Sequence, residues 1–122
     1  MSDYKIWKSN ILSAIKHLSN IDYQKNVWLS KSDDQISSFD EDIMVLYDDN
    51  CFDDDFWNDT HLPKFNFNEV QINVLKEFKR KLDEYLIKIK EVNSKLSDQE
   101  IISDPEWVKI AENAKNVLTY FK

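Results

Sequence analysis

The sequence predicts an all-α fold, a single-domain bundle of about five main helices carrying a long acidic, aromatic-containing loop. Three observations carry that reading. The 122 residues contain no glycine, so tight Asn-Gly hairpins are absent and strands joined by short turns are disfavoured. Apolar residues recur at spacings of three and four, with capping residues ahead of several of these runs. Eleven of the 23 acids fall between Ser32 and Pro63, where there is no Lys or Arg.

The first helix begins after Ser2 or Asp3, and Trp7, Ile11, Ala14, Ile15 and Leu18 form its apolar stripe. Ser19 and Asp22 have capping-box spacing and predict a second helix starting at Ser19, with Tyr23, Val27 and Trp28 as its apolar face. Leu29 to Ser37 reads as a loop. Ser38-Phe39-Asp40-Glu41 is a capping box that opens a third helix, expected to turn Ile43, Met44, Leu46 and Tyr47 inward. Asp40, Glu41 and Asp42 then lie at the positive end of its dipole.

From Asp48 to Phe67 no period holds, and Pro63 opposes a regular element, so this stretch reads as one long loop. Phe52, Phe56, Trp57, Phe65 and Phe67 supply anchors within it. Asn66 or Asn68 caps the longest helix, which runs to about Val92 or Asn93. Leu75, Phe78, Leu82, Tyr85, Ile89 and Val92 form its packed seam, for which burial inside one domain outweighs a coiled-coil dimer. On its other faces, i,i+4 pairs such as Glu77 with Lys81 and Glu84 with Lys88 are expected. After a turn at Asn93 to Leu96, Ser97-Asp98-Gln99-Glu100 opens a short helical turn. Ser103-Asp104-Pro105-Glu106 opens the last helix, with Ser103 as cap and Trp107, Ile110, Ala111, Ala114, Val117, Leu118 and Phe121 along it.

The absence of glycine also excludes phosphate-cradling loops and dinucleotide fingerprints. No apolar run approaches bilayer-crossing length, and Met1 to Ser13 lacks a signal-peptide pattern, so a cytoplasmic protein without a membrane partner is expected. The single Cys51 suits a reducing compartment. An EF-hand frame starting at Asp48 accepts Asn50 at position three but fails at Phe52, Asp53 and Asp59. His17, His61 and Cys51 have no zinc-ligand spacing. A Cys51–His61 nucleophile pair is formally available, yet no third group or oxyanion donor accompanies it. Neither a metal nor a cofactor is expected, nor a catalytic residue.

The charge asymmetry points instead to a protein. The acidic segment carries a formal charge near −11, and the remainder has 12 acids against 16 bases. A direct nucleic-acid partner is disfavoured, because phosphate contacts draw on Lys and Arg. A basic protein surface fits, with Asp48, Asp49, Asp53, Asp54, Asp55 and Asp59 facing its cations and Phe56 and Trp57 as anchors. Trp57 reads equally as a core residue closing the loop.

Three stretches carry a resemblance: Leu18-Ser19-Asn20-Ile21-Asp22-Tyr23-Gln24-Lys25-Asn26-Val27-Trp28, then Phe39-Asp40-Glu41 leading to Leu46-Tyr47-Asp48-Asp49, then Ser103-Asp104-Pro105-Glu106-Trp107. Their order and spacing resemble a family of small bacterial proteins, some of whose relatives look like immunity proteins of contact-dependent growth inhibition systems. The resemblance implies a non-enzymatic helical protein that binds one cognate toxin domain, often a nuclease such as an RNase, and covers its basic cleft. Tyr23, Val27, Trp28, Leu46 and Trp107 have core spacing, so no binding role is transferred to them. The Asp53–Trp57 segment lies outside the resemblance, and its role is read from charge. The alternatives are a regulatory or scaffold protein using the same loop for another basic partner, and an enzyme built on Cys51, His61 and loop carboxylates.

Overall fold

The computed structural model describes residues 2–29, 38–52, 55–58, 60–91 and 96–121. Residues 30–37 of the expected loop, residues 93–95 of the expected turn, and Val92 lie outside these residues. Among the described residues there are six α-helices and no strand: α1 (Ser2–Ser19), α2 (Ile21–Val27), α3 (Phe39–Met44), α4 (Glu69–Glu91), α5 (Asp98–Ser103) and α6 (Pro105–Leu118). The all-α bundle is therefore observed, with five main helices and the short α5.

The apolar stripes place these helices. Ile11, Ala14, Ile15 and Leu18 of α1 are buried, and α1 packs chiefly on α6. Ala111 and Ala114, both buried on α6, keep that face small and allow close approach. On the long α4, Leu75, Phe78, Leu82 and Tyr85 are buried, and α4 also packs against α6. Helix α6 is thus the shared partner of α1, α4 and α5. Its Trp107 is fully buried, with the rings of Phe39, Tyr85 and Trp28 at 5.2, 5.6 and 6.2 Å. Aromatic rings gain from such edge-on and tilted contacts beyond simple burial.

Two helix starts differ from expectation by one residue. Asn20, not Ser19, caps α2: its Oδ1 accepts the Tyr23 N–H at 2.9 Å. Ser19 instead ends α1, its hydroxyl donating to the Lys16 carbonyl at 2.7 Å. Likewise Asp104, not Ser103, caps α6, with Pro105 in the first turn. Ser103 is the last residue of α5. The Ser38 cap of α3 and the full Ser97–Glu100 capping box of α5 are as expected. Of the two asparagines ahead of α4, Asn68 is the cap, exchanging bonds of 2.8 and 2.9 Å with Gln71. Asn66 has a left-handed backbone (φ 59°) and ends the preceding turn.

The stretch from Asp48 to Phe67 is not one loop among its described residues. A π-helix (Val45–Asp49) continues α3, and two 3-10 turns follow at Asp55–Trp57 and Leu62–Phe65. Without glycine, the two positive-φ positions among the described residues fall to Asn66, which tolerates them, and to Cys51 (φ 55°). Phe52, Phe56 and Phe65 are buried, so these aromatics expected to pin a loop join the one hydrophobic core that also holds Ile11, Ile15 and Leu18 of α1. Trp7 of α1 meets Phe56 and Phe65 edge-on at 6.4 and 5.1 Å.

Candidate functional site

The candidate site grows from the periodicity of α3. Phe39, Asp42, Ile43 and Leu46 follow an i, i+3, i+4, i+7 pattern toward the core, and of these Phe39, Asp42 and Leu46 are buried. Asn50 is buried beyond them, its Nδ2 donating to the Val45 carbonyl at 2.7 Å. Trp7 Nε1–H donates to the Asn50 carbonyl at 2.6 Å, tying this segment to α1. Asp42 is buried because it accepts the Trp28 indole N–H at 2.7 Å.

With those positions inward, the alternate ones face solvent. Asp40, Glu41, Asp48 and Asp49 are exposed, and Met44 among them is 54% exposed. Met44 was expected to point inward; the i, i+3, i+4, i+7 set leaves it on the opposite side. None of the four carboxylates is ion-paired with a Lys or Arg among the described residues. The result is an acidic helical face around one exposed thioether side chain. The π-helix that presents its second half is a rare geometry, enriched at functional sites.

The other expected site residues divide. Asp53, Asp54 and Asp59 lie outside the described residues. Asp55 opens a 3-10 turn. Phe56 is 0% exposed, enclosed by Phe52, Trp57 and Phe65 at 5.5, 4.8 and 5.0 Å, and so is not a surface anchor. Its place in the hydrophobic core is a correction to the sequence reading. Trp57 is half-buried and donates its indole N–H to the Phe52 carbonyl. Met44, Asp40 and Glu41 were missed as surface candidates, although counting the helical period from Phe39 would have found them.

The histidines, Cys51 and the EF-hand-like stretch also have places in the fold. The EF-hand frame is occupied otherwise: Asn50 and Phe52 are both buried, and the Asn50 amide is held by a main-chain carbonyl. His61 Nδ1 hydrogen-bonds Tyr4 Oη at 2.9 Å, and the Cys51 Sγ–H is directed at the Asp48 carbonyl at 3.8 Å. His17 stacks on Tyr23 at 4.5 Å.

Three of the six bases of α4 are ion-paired among the described residues. Arg80 bridges Glu77 and Glu84, Lys79 pairs with Asp83 at 2.6 Å, and Lys88 reaches Glu106 on α6. These replace the expected Glu77–Lys81 and Glu84–Lys88 pairs, because Arg80 lies within one helical turn of both glutamates. The Arg80 hydrogen bond holds the Glu77 carboxyl below its ordinary range.

The chain belongs to a family described as a domain of unknown function, DUF7945, whose model matches residues 2–121. The match runs from the first residue of α1 to the closing 3-10 turn Thr119–Phe121, so the family unit is the whole bundle. No curated protein and no solved structure matches it.

Proposed function

We propose that this protein is a non-enzymatic binding module that neutralises a basic protein partner, and that the partner is a toxin nuclease domain for which it serves as immunity protein. The observation that carries the reading is the exposed face of Asp40, Glu41, Met44, Asp48 and Asp49, whose carboxylates find no Lys or Arg among the described residues. Four like charges on one short segment repel each other, and a partner bringing Lys and Arg would relieve that repulsion. A nuclease cleft collects such residues to hold phosphates, so an acidic face can occupy it in place of the substrate. Met44 offers the apolar contact that interface cores favour. Asp53, Asp54, Asp55 and Asp59 add formal charge to the same stretch of chain. The resemblance in the α2 and α6 motifs supplies the toxin class, while the charge supplies the mode of blockade.

The test is co-expression with the toxin fragment encoded beside this protein, followed by purification through a tag on one partner. A stoichiometric complex and rescued growth are expected in the wild type. Both should be lost when Asp48 and Asp49 are replaced by Lys. Rescue that survives this double reversal would remove the acidic face from the mechanism. A complex with some other basic protein, without rescue, would turn the reading to a regulatory or scaffold role.

A further inference from the structure

Beside the acidic face lies a groove of about 790 Å³ between α3, the C-terminal part of α4, and α5. Phe39, Ile43, Leu86, Ile89 and Ile101 make its apolar floor. Asp40, Asp98 and Lys90 stand among its lining residues, giving two carboxylates against one ammonium. Ile87, at its edge, is 55% exposed. Asp40 belongs both to this groove and to the acidic face, so the two surfaces are continuous.

We propose that this groove seats an amphipathic helix of the protein partner, its apolar stripe on the isoleucine-rich floor and its Lys or Arg side chains toward Asp40 and Asp98. The inference rests on the binding reading above and specifies which part of the partner is held. Its first support is shape and chemistry. A helix presents anchors at i, i+3, i+4 and i+7, which suit an apolar groove framed by helices. Strand addition would need a sheet edge, and no strand is present among the described residues.

Its second support is charge. Asp98 accepts the Phe39 N–H at 3.3 Å, which fixes its carboxyl at the junction of α3 and α5. Burial pushes that carboxyl above its ordinary range, and the nearby charge of Asp40 adds to the shift. Neither acid is ion-paired among the described residues. A cation delivered from a partner helix would stabilise both charged forms, whereas an acidic helix would meet repulsion.

The groove can be tested without the toxin. Two synthetic helical peptides of about four turns share one Leu stripe and differ in flanking charge, one carrying Lys and the other Glu. Titration calorimetry against the whole protein should show the Lys peptide binding at least about tenfold more tightly than the Glu peptide. Asp40→Lys should remove most of that preference, and the gentler Asp40→Asn should reduce it. Glu112→Lys, at an exposed position of α6 that belongs neither to the groove nor to the acidic face, should leave affinities within about twofold. Ile87→Ser should weaken both peptides. Absence of binding by either peptide, equal affinity for the two, indifference to Ile87→Ser, or equal losses from Asp40→Lys and Glu112→Lys would each overturn the proposal. Co-purification with the toxin separates this from the broader reading. An Ile87→Ser protein that holds the toxin as tightly as wild type removes the groove and leaves the acidic face standing.

Discussion

Gln24 shows how this chain turns a corner without glycine. The last carbonyls of a helix have no partner within it, and a left-handed glycine beyond the end commonly helps satisfy them. Here Gln24, in the following helix and 0% exposed, reaches back instead. Its Nε2 donates to the His17 and Leu18 carbonyls, each at 3.0 Å, and its Oε1 accepts the Trp107 indole N–H at 2.9 Å. One amide thereby joins α1, α2 and α6. Gln24→Leu keeps much of the volume but removes the amide's bonds to the Leu18 carbonyl and the Trp107 indole N–H, and leaves the His17 carbonyl with the long 3.4 Å bond from the Asn20 N–H. At about 1–3 kcal/mol for each buried group left unpaired, a loss of ~3 kcal/mol or more is expected in urea denaturation. Gln24→Glu should be worse, because it sets a carboxylate against those same carbonyls. A Gln24→Leu loss below about 1 kcal/mol would show that the corner is held by packing alone. Gln24 and Trp107 both stand in stretches that carry the family resemblance. Their pairing across 83 positions follows no period and was not legible there.

At the scale of elements, the junction of α5 and α6 depends on Asp104, which ends one helix and caps the next. Its Oδ1 accepts the Glu106 N–H at 3.0 Å and its Oδ2 accepts the Tyr85 hydroxyl at 2.9 Å. Burial, reinforced by the Asp104 carboxylate, raises the Tyr85 phenol above its ordinary range, so the hydroxyl remains a donor. Asp104→Ala should cost about 2 kcal/mol, combining a lost cap with a lost charged hydrogen bond. Asp104→Ser should recover the cap portion alone. In a thermal-unfolding cycle with Tyr85→Phe, the Asp104→Ala and Tyr85→Phe losses should fall short of additivity; strict additivity would mean that the bond contributes nothing. This junction also explains the one-residue errors in reading helix starts. Ser103 and Asp104 are both good caps, as are Ser19 and Asn20. Pro105 at the first helical position favours Asp104 over Ser103, and the bond from the Tyr85 hydroxyl, which lies outside any local pattern, adds to that preference. The long seams of α1, α4 and α6 were legible because period and burial coincide. The aromatics of 52–67 were not, since short 3-10 turns bring Phe52, Phe56 and Phe65 into the core with no repeating interval.

Over the whole molecule, the residues that hold the fold and those available for binding are separate sets, although one segment contains both. Between Phe39 and Phe56 the chain buries Phe39, Leu46, Phe52 and Phe56, and it exposes Asp40, Glu41, Met44, Asp48 and Asp49. Phe56→Ala should cost about 3–5 kcal/mol of stability, which is the ordinary loss for a buried phenylalanine. Met44→Ala and Asp48→Lys should change stability by no more than about 0.5 kcal/mol, as surface substitutions do. Their effects on a basic partner should differ in kind. Asp48→Lys acts through long-range attraction and should slow association. Met44→Ala removes a short-range apolar contact and should speed dissociation. The wild-type association rate should also fall steeply as ionic strength approaches physiological values, where the screening length is about 8 Å, and Asp48→Lys should flatten that dependence. Stopped-flow measurement across a salt series separates the two contributions. An association rate indifferent to salt would detach the acidic face from recognition. The apolar floor between α3, α4 and α5 would then have to account for binding by itself, and Ile87→Ser would become the most damaging surface substitution.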